Sequence, residues 1–589
     1  MEQCDAMTFD LKISGGQVYD GNGGDAIHAD IAVKDGNIVE VGECAGSAAR
    51  VVDADGAIVT PGFIDLHTHY DGQVSWDEEM RPSVNFGVTT AILGNCGVGF
   101  APVRPQDHDR LIRLMEGVED IPGTALHEGI TWAWESFPEY LDAIDALPHT
   151  IDFGVMAVHD PIRVYAMGER AGYQQAASAQ DIEVMQRLVS EAMDAGAAGF
   201  STGRTDVHRT ADGEWTPSSE ASRDELIGLA SALRGRKSGV LQVVNDFNLE
   251  RTGDQFAEEF ELIEAFARAA GRPCSISLMQ RDFAPDQWRK ILQETERLNS
   301  DGVDFRVQVA PRAIGVINGL QCTFHPLLAQ PSYLAIKDKP LAERVAIMRD
   351  PEFRKRCLAE TPVKLAGEGS SVPPIVDRII AEIETIAFKL FRLDESPDYD
   401  QGAERSIGAE AQRDGVAVME KLYDVCLEVD GHQLIYFPIY NYTEFNYDNV
   451  HTMLMHPNAL LGLSDGGAHV GTICDASFPA YLLSHWTRDR QQDRIELARA
   501  VQMLSADAAD YLGLRDRGRI AVGQKADINV IDYAALSLRQ PRMVRDLPAG
   551  GQRLLQPATG FLATFVAGQQ VIEHDEVSQA RPGRLIRFN

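Results

Sequence analysis

Two histidines stand two residues apart in P-G-F-I-D-L-H-T-H-Y, residues 61–70, directly after a short apolar run. In a strand, residues i and i+2 point to the same side. Phe63, Asp65, His67 and His69 therefore share one face, and Ile64 and Leu66 share the other. Imidazoles about 7 Å apart along a strand can both tilt onto one ion. The same three letters also suit two hydrogen-bonded histidines in a turn. The apolar approach, the preceding Pro-Gly and the position at a strand end favour metal binding. A carboxylate that could face such an ion lies far along the chain, in S-D-G-G-A-H at 464–469.

A barrel of parallel strands is the element that would position these groups. In such a barrel the outward face meets helices and the inward face carries polar groups at the C-terminal rim. Strand-like runs recur: G-F-I-D-L-H-T-H, T-T-A-I-L-G-N-C, I-D-F-G-V-M-A-V-H, A-A-G-F-S-T-G, G-V-L-Q-V-V, C-S-I-S-L-M, D-F-R-V-Q-V-A and A-L-L-G-L-S-D. Helical stretches separate several of them, such as D-I-E-V-M-Q-R-L-V-S-E-A-M-D-A-G, whose final glycine suits a helix stop. This rhythm predicts an α/β fold with a (β/α)8 TIM-type barrel over 61–310 and 431–514. Residues 1–60 and 515–589 read as short strands with glycine turns, including the hairpin signal Lys34-Asp35-Gly36-Asn37. They predict one small β-sandwich domain built from both chain ends. Residues 311–430 break the rhythm with helix signals and proline joints, and predict an inserted helical subdomain covering the barrel mouth.

Composition narrows the function classes. The net charge of −34 opposes contact with phosphate backbones, so no nucleic-acid partner is expected. No run of about 18 uncharged apolar residues occurs, so no membrane span is expected. The N-terminus lacks the apolar core of a signal peptide, and the cysteines are single, with no C-x-x-C pair. Both features point to a cytoplasmic location. A homo-oligomer is compatible with the sequence.

Taken in order, these motifs resemble the amidohydrolase superfamily, in its D-aminoacylase (N-acyl-D-amino-acid deacylase) branch. The resemblance rests on P-G-F-I-D-L-H-T-H-Y-D, G-V-T-T-A-I-L-G-N-C-G-V-G-F-A-P at 87–102, A-V-H-D-P-I-R-V-Y-A-M-G at 157–168, D-A-G-A-A-G-F-S-T-G at 194–203, L-L-G-L-S-D-G at 460–466 and the tail from D-R-G-R-I-A-V-G. It is weak between about 310 and 430. It implies a zinc site drawn from His67, His69, Cys96 and Asp465, with Asp465 as the catalytic proton carrier. Thiolate and imidazole suit Zn²⁺, and an ion there would lower the pKa of a bound water toward about 7.

The family also places metal histidines on its fifth and sixth strands. Here those strands read G-V-L-Q-V-V-N-D-F and C-S-I-S-L-M-Q-R, with Leu278 where a ligand would stand. One Zn²⁺ per chain is therefore expected. Gln242, Asn245, Gln280, His159 and His469 are the polar groups available to replace the missing pair, or to line the pocket. Arg163 and Arg204 are candidates for the substrate carboxylate, with His159 and His469 beside them, because arginine captures carboxylates bidentately. The aromatic run Y-F-P-I-Y-N-Y, 436–442, reads as core packing or as the wall of an apolar acyl pocket.

The expected activity is metal-dependent hydrolysis of a C–N amide bond in a small molecule, such as N-acyl-D-amino acid deacylation. A one-metal lactone or cyclic-amide hydrolase, a decarboxylase, and a non-catalytic barrel are the alternatives.

Overall fold

The computed structural model describes residues 8–247, 255–367, 370, 372 and 374–588. Its centre is an eight-stranded parallel sheet: β1 Phe63–Asp65, β2 Val88–Leu93, β3 Asp152–Val158, β4 Gly199–Arg204, β5 Val240–Asn245, β6 Cys274–Leu278, β7 Phe305–Val309 and β8 Ala459–Leu461. The strands pair in sequence order from β1 to β8. A parallel bridge from Thr68 to Gly466 brings the last strand back to the first. The expected barrel is present, with each strand in one of the anticipated runs.

The alternation in the first strand sorts its side chains as the pleat requires. Ile64 and Leu66 pack with Ile92, Met156, Ala508 and Leu512, so they meet the outer helical layer. Asp65 and His67 point the other way and bond to groups from β7 and the segment after β8. The helix Ala179–Ala195 is capped by Ser178 and stopped by Gly196, whose φ of 104° suits a residue without Cβ.

Both chain ends share one mixed sheet of nine strands. Ile528–Ile531 pairs antiparallel with Ile58–Pro61, tying the C-terminal part to the N-terminal part just before β1. The hairpin between Ile27–Lys34 and Asn37–Gly42 turns on Asp35 and Gly36, both at positive φ, as a two-residue primed turn demands.

Between β7 and β8 the chain builds a three-stranded sheet, Gly315–Asn318, Phe391–Leu393 and Leu434–Pro438, with several helices. Leu327, Tyr333, Met348, Cys357, Leu422 and Cys426 form a separate apolar core there. Side chains of this insertion wall the cavity that holds His67 and His69.

Candidate functional site

His67 and His69 follow β1 directly, and their rings lie 5.4 Å apart, centre to centre. Cys96 follows β2 in the G-N-C-G loop. Its Sγ lies 3.3 Å from His67 Nε2. The ligand atoms of His67, His69 and Cys96 all fall within 4.8 Å of one another, and all three residues are buried. Asp465 follows β8, with Oδ1 3.5 Å from His67 Nε2 and 3.8 Å from His69 Nε2. Three of the four expected groups thus cluster at the barrel rim, and Asp465 stands within 4 Å of both imidazoles.

Backbone contacts hold this convergence. Asp465 N–H donates to His67 O at 3.1 Å, and His69 N–H donates to Gly466 O at 2.8 Å. Ser464 Oγ donates to Asp65 Oδ2 at 2.6 Å. Gln242, on β5, accepts from Cys96 N–H at 2.8 Å and so fixes the cysteine loop. Cys96, Leu463, Asp465 and His469 all adopt positive φ, between 48° and 62°. Non-glycine residues in this region cost energy, and such strain gathers where side chains must be aimed. Gly97 allows the loop to lie close to β4: a Cβ there would sit 2.8 Å from Gly203 N.

The donor set fits a divalent transition metal. His67 Nδ1 lies 2.8 Å from Gln308 Oε1, which can only accept, so Nδ1 carries the proton and Nε2 is bare toward Cys96 and Asp465. Burial lowers the pKa of His67 and takes that of His69 well below its ordinary value, which keeps both imidazoles neutral. Burial, aided by nearby acids, pushes the Cys96 thiol up. A thiol enclosed with two neutral imidazoles and a carboxylate becomes a good ligand once a cation supplies the opposite charge.

Two further groups complete the site. Helix α1, His108–Glu119, buries Leu111, Met115 and Val118, and ends at Asp120 in the left-handed region. Its last residue, Glu119, is buried, with Oε1 3.3 Å from His69 Nδ1 and Oε2 3.5 Å from His469 Nε2. Burial and the charges of Asp465 and Asp71 hold its carboxyl pKa well above the usual range. His208, in the loop after β4, lines the same cavity, and burial lowers its pKa to about 3. Glu119 left a readable trace, since Leu111, Met115 and Glu119 fall on one helical stripe and an acid on an apolar stripe is unusual. His208 left none.

Other candidates lie elsewhere. Arg163 Nε donates to Glu225 Oε1 at 2.8 Å, and its remaining nitrogens donate to the Gly172 and Gln175 carbonyls. His159 joins the same buried cluster through Glu225 and Thr202. Arg204 is bidentate to Glu259, with both contacts at 2.8 Å. None of these three lines the cavity, because a buried cation is retained by its carboxylate partner. Asn245 also bonds Glu259, and Gln280 bonds Glu444. Of the proposed substrate-facing residues, His469 lines the cavity. Arg281, which follows β6, is the only arginine or lysine among the described lining residues. At the ends of β5 and β6 the cavity meets Val244, Ser277 and Met279.

The chain matches the amidohydrolase family model over residues 50–572. A D-aminoacylase from Alcaligenes xylosoxydans xylosoxydans is 34% identical over 234 residues, covering 40% of this chain and 44% of that relative. An N-acyl-D-aspartate deacylase from the same organism is 25% identical over 578 residues, or 98% of this chain and 95% of that one. Among solved structures, the N-acyl-D-glutamate deacylase of Bordetella bronchiseptica superposes with a TM-score of 0.63 at 22% identity, over 99% of this chain and all of that one. A D-aminoacylase structure gives a TM-score of 0.63 at 23% identity, covering 98% and 99% of the two chains. At that identity the superposition speaks for the barrel with its companion sheet, and the family match extends through both. With its imidazole pair, cysteine loop and late aspartate at one barrel rim, this chain belongs to the amidohydrolase family.

Proposed function

We propose that the chain hydrolyses the amide bond of an N-acylated amino acid, using Asp465 as proton carrier at a single metal held by His67, His69, Cys96 and Asp465. The observation that carries this reading is the position of the Asp465 carboxylate opposite both imidazoles, 3.5 and 3.8 Å from their Nε2 atoms. Zn²⁺ suits this sulfur–nitrogen–oxygen set, and when bound it would polarise a water molecule and the substrate carbonyl. The absence of histidine from β5 and β6 favours one ion over two. Relatives named for deacylating N-acyl-D-aspartate and N-acyl-D-glutamate favour an N-acyl-D-amino acid as substrate.

The chain's own groups supply the remaining steps. Asp465 accepts a proton from the attacking water and delivers it to the leaving nitrogen as the C–N bond breaks, giving an amine and a carboxylic acid, which then ionises to solvent. Gln308 holds His67 in the tautomer that turns Nε2 inward. Glu119 stands behind His69 and His469 and sets their orientation. Arg281 is the cation available for the substrate carboxylate.

Hydrolysis assays on paired N-acyl-D- and N-acyl-L-amino acids, lactones and cyclic amides test the proposal. Turnover of N-acyl-D-amino acids above the other classes is expected. Preferred opening of a lactone or cyclic amide would replace it.

A further inference from the structure

From this deacylase reading, the shape and lining of the cavity carry a second step. The cavity measures about 510 Å³ and runs from His67 and His69 to the underside of the insertion. Its far wall is aliphatic. Helix α2, Pro374–Ala381, contributes Ile375, Val376, Ile379 and Ile380, and the short helix Ile383–Ile386 contributes its two terminal isoleucines. Residues at i, i+3 and i+4 lie on one helix face, so α2 lays a continuous apolar strip along the cavity.

The strip connects to the barrel rim. Met279, Ile314 and Leu463 cluster beside the site, and Ile439 packs against them. Ile439 also packs against the insertion core containing Ile383, Leu390 and Phe437. The run at 436–442 divides between two roles. Phe437, Ile439 and Tyr440 line the cavity, whereas Tyr436 and Tyr442 are anchored elsewhere through Ala313 O and Gln401 O. The cavity also carries acids, with Glu119 and Asp465 beside the imidazoles and Glu116, Asp120 and Asp246 elsewhere in its lining.

We infer that the acyl portion of the substrate is a long, unbranched alkyl chain, seated beneath α2 with its amide at the His67–His69–Asp465 cluster. An acetyl group would leave the aliphatic strip facing water. A longer alkyl chain would cover it, with a gain of up to about fourfold in affinity for each methylene removed from water.

The test is a chain-length series, N-acetyl, N-hexanoyl, N-decanoyl and N-dodecanoyl derivatives of one D-amino acid and its L enantiomer, each below its micellisation concentration. From acetyl to decanoyl, kcat/KM is expected to rise at least about 100-fold, mainly through KM, since burial of the alkyl chain is common to ground and transition states. Ile379→Glu should abolish the rise while leaving N-acetyl hydrolysis within about threefold. Ile379→Phe, which adds bulk without charge, should cap the preferred length at a shorter chain. A flat or falling profile in the parent protein overturns the inference. Calorimetric titration separates it from the hydrolase reading. Binding that tightens with chain length, with no derivative cleaved, would keep the alkyl site and sink the deacylase proposal. Binding that does not tighten would sink the alkyl site whatever the activity.

Discussion

His67 Nδ1 donates to Gln308 Oε1 across 2.8 Å, joining the end of the first barrel strand to the seventh. Gln308 is itself oriented by donation from its Nε2 to Ser275 Oγ at 3.0 Å on the sixth strand. The amide therefore presents only an acceptor, and the imidazole has one tautomer available. Outer partners of this kind commonly account for 10–100-fold in metal affinity. Gln308→Leu is expected to weaken zinc binding by about 10- to 100-fold without unfolding the barrel, as read by competition with a chromogenic chelator.

Asp465→Asn keeps the side chain's shape and removes its capacity to take a proton. Turnover should fall at least about 100-fold while circular dichroism and melting temperature stay close to the parent. Retained turnover would take Asp465 out of the proton path.

Purified protein should contain about one transition-metal ion per chain by elemental analysis. Removing the ion with dipicolinate should abolish turnover and lower the melting temperature, and added Zn²⁺ should restore both. Zinc at 100 times its Kd would contribute about 2.7 kcal/mol to stability by mass action. Two ions per chain would require ligands outside the cluster described.

Arg281 is buried beside the cavity and donates to Gln287 Oε1 at 2.9 Å and to Asn245 O at 3.0 Å. A charge-assisted contact to a substrate carboxylate contributes about 1.5–3 kcal/mol. Arg281→Gln should accordingly raise KM for an N-acyl amino acid by about 10- to 150-fold, at 1.4 kcal/mol per factor of ten. The matching N-acyl amine, which lacks the carboxylate, should show no such change.

His325, in the insertion, accepts from Leu327 N–H through Nδ1. Burial, with the Arg344 charge nearby, lowers its pKa to about 3. The folded state thus holds it neutral, while the unfolded chain protonates it near pH 6.5. Its contribution to stability is complete above about pH 6.5 and is lost progressively as pH falls toward 3. Between pH 7 and 5 this one group should cost about 2 kcal/mol. His325→Gln should flatten that part of the melting-temperature profile. Equal slopes for the two proteins would remove His325 as a cause.

Much of the site was legible because its signals are local. H-x-H after an apolar run needs only strand alternation to turn both imidazoles one way, and the two-residue turn at Asp35-Gly36 needs only backbone preference. The barrel rhythm likewise follows from strand and helix periodicities that each segment carries by itself. Arg163 and Arg204 look like substrate contacts in the sequence because a sequence does not show which acid meets which base. Glu225 and Glu259 reach them from later helices, and a buried guanidinium stays with such a partner.

Residue order alone therefore determined the eight strands, the imidazole pair and the absence of histidines from the fifth and sixth strands. Only tertiary structure decided that Glu119 would stand behind His69, that Arg281 would be the arginine among the described residues lining the cavity, and that an aliphatic strip on α2 would line it. The physical reason is distance along the chain. Backbone periodicity acts over a few residues, whereas burial, charge pairing and cavity shape arise between segments separated by tens to hundreds of residues and are settled only when those segments pack.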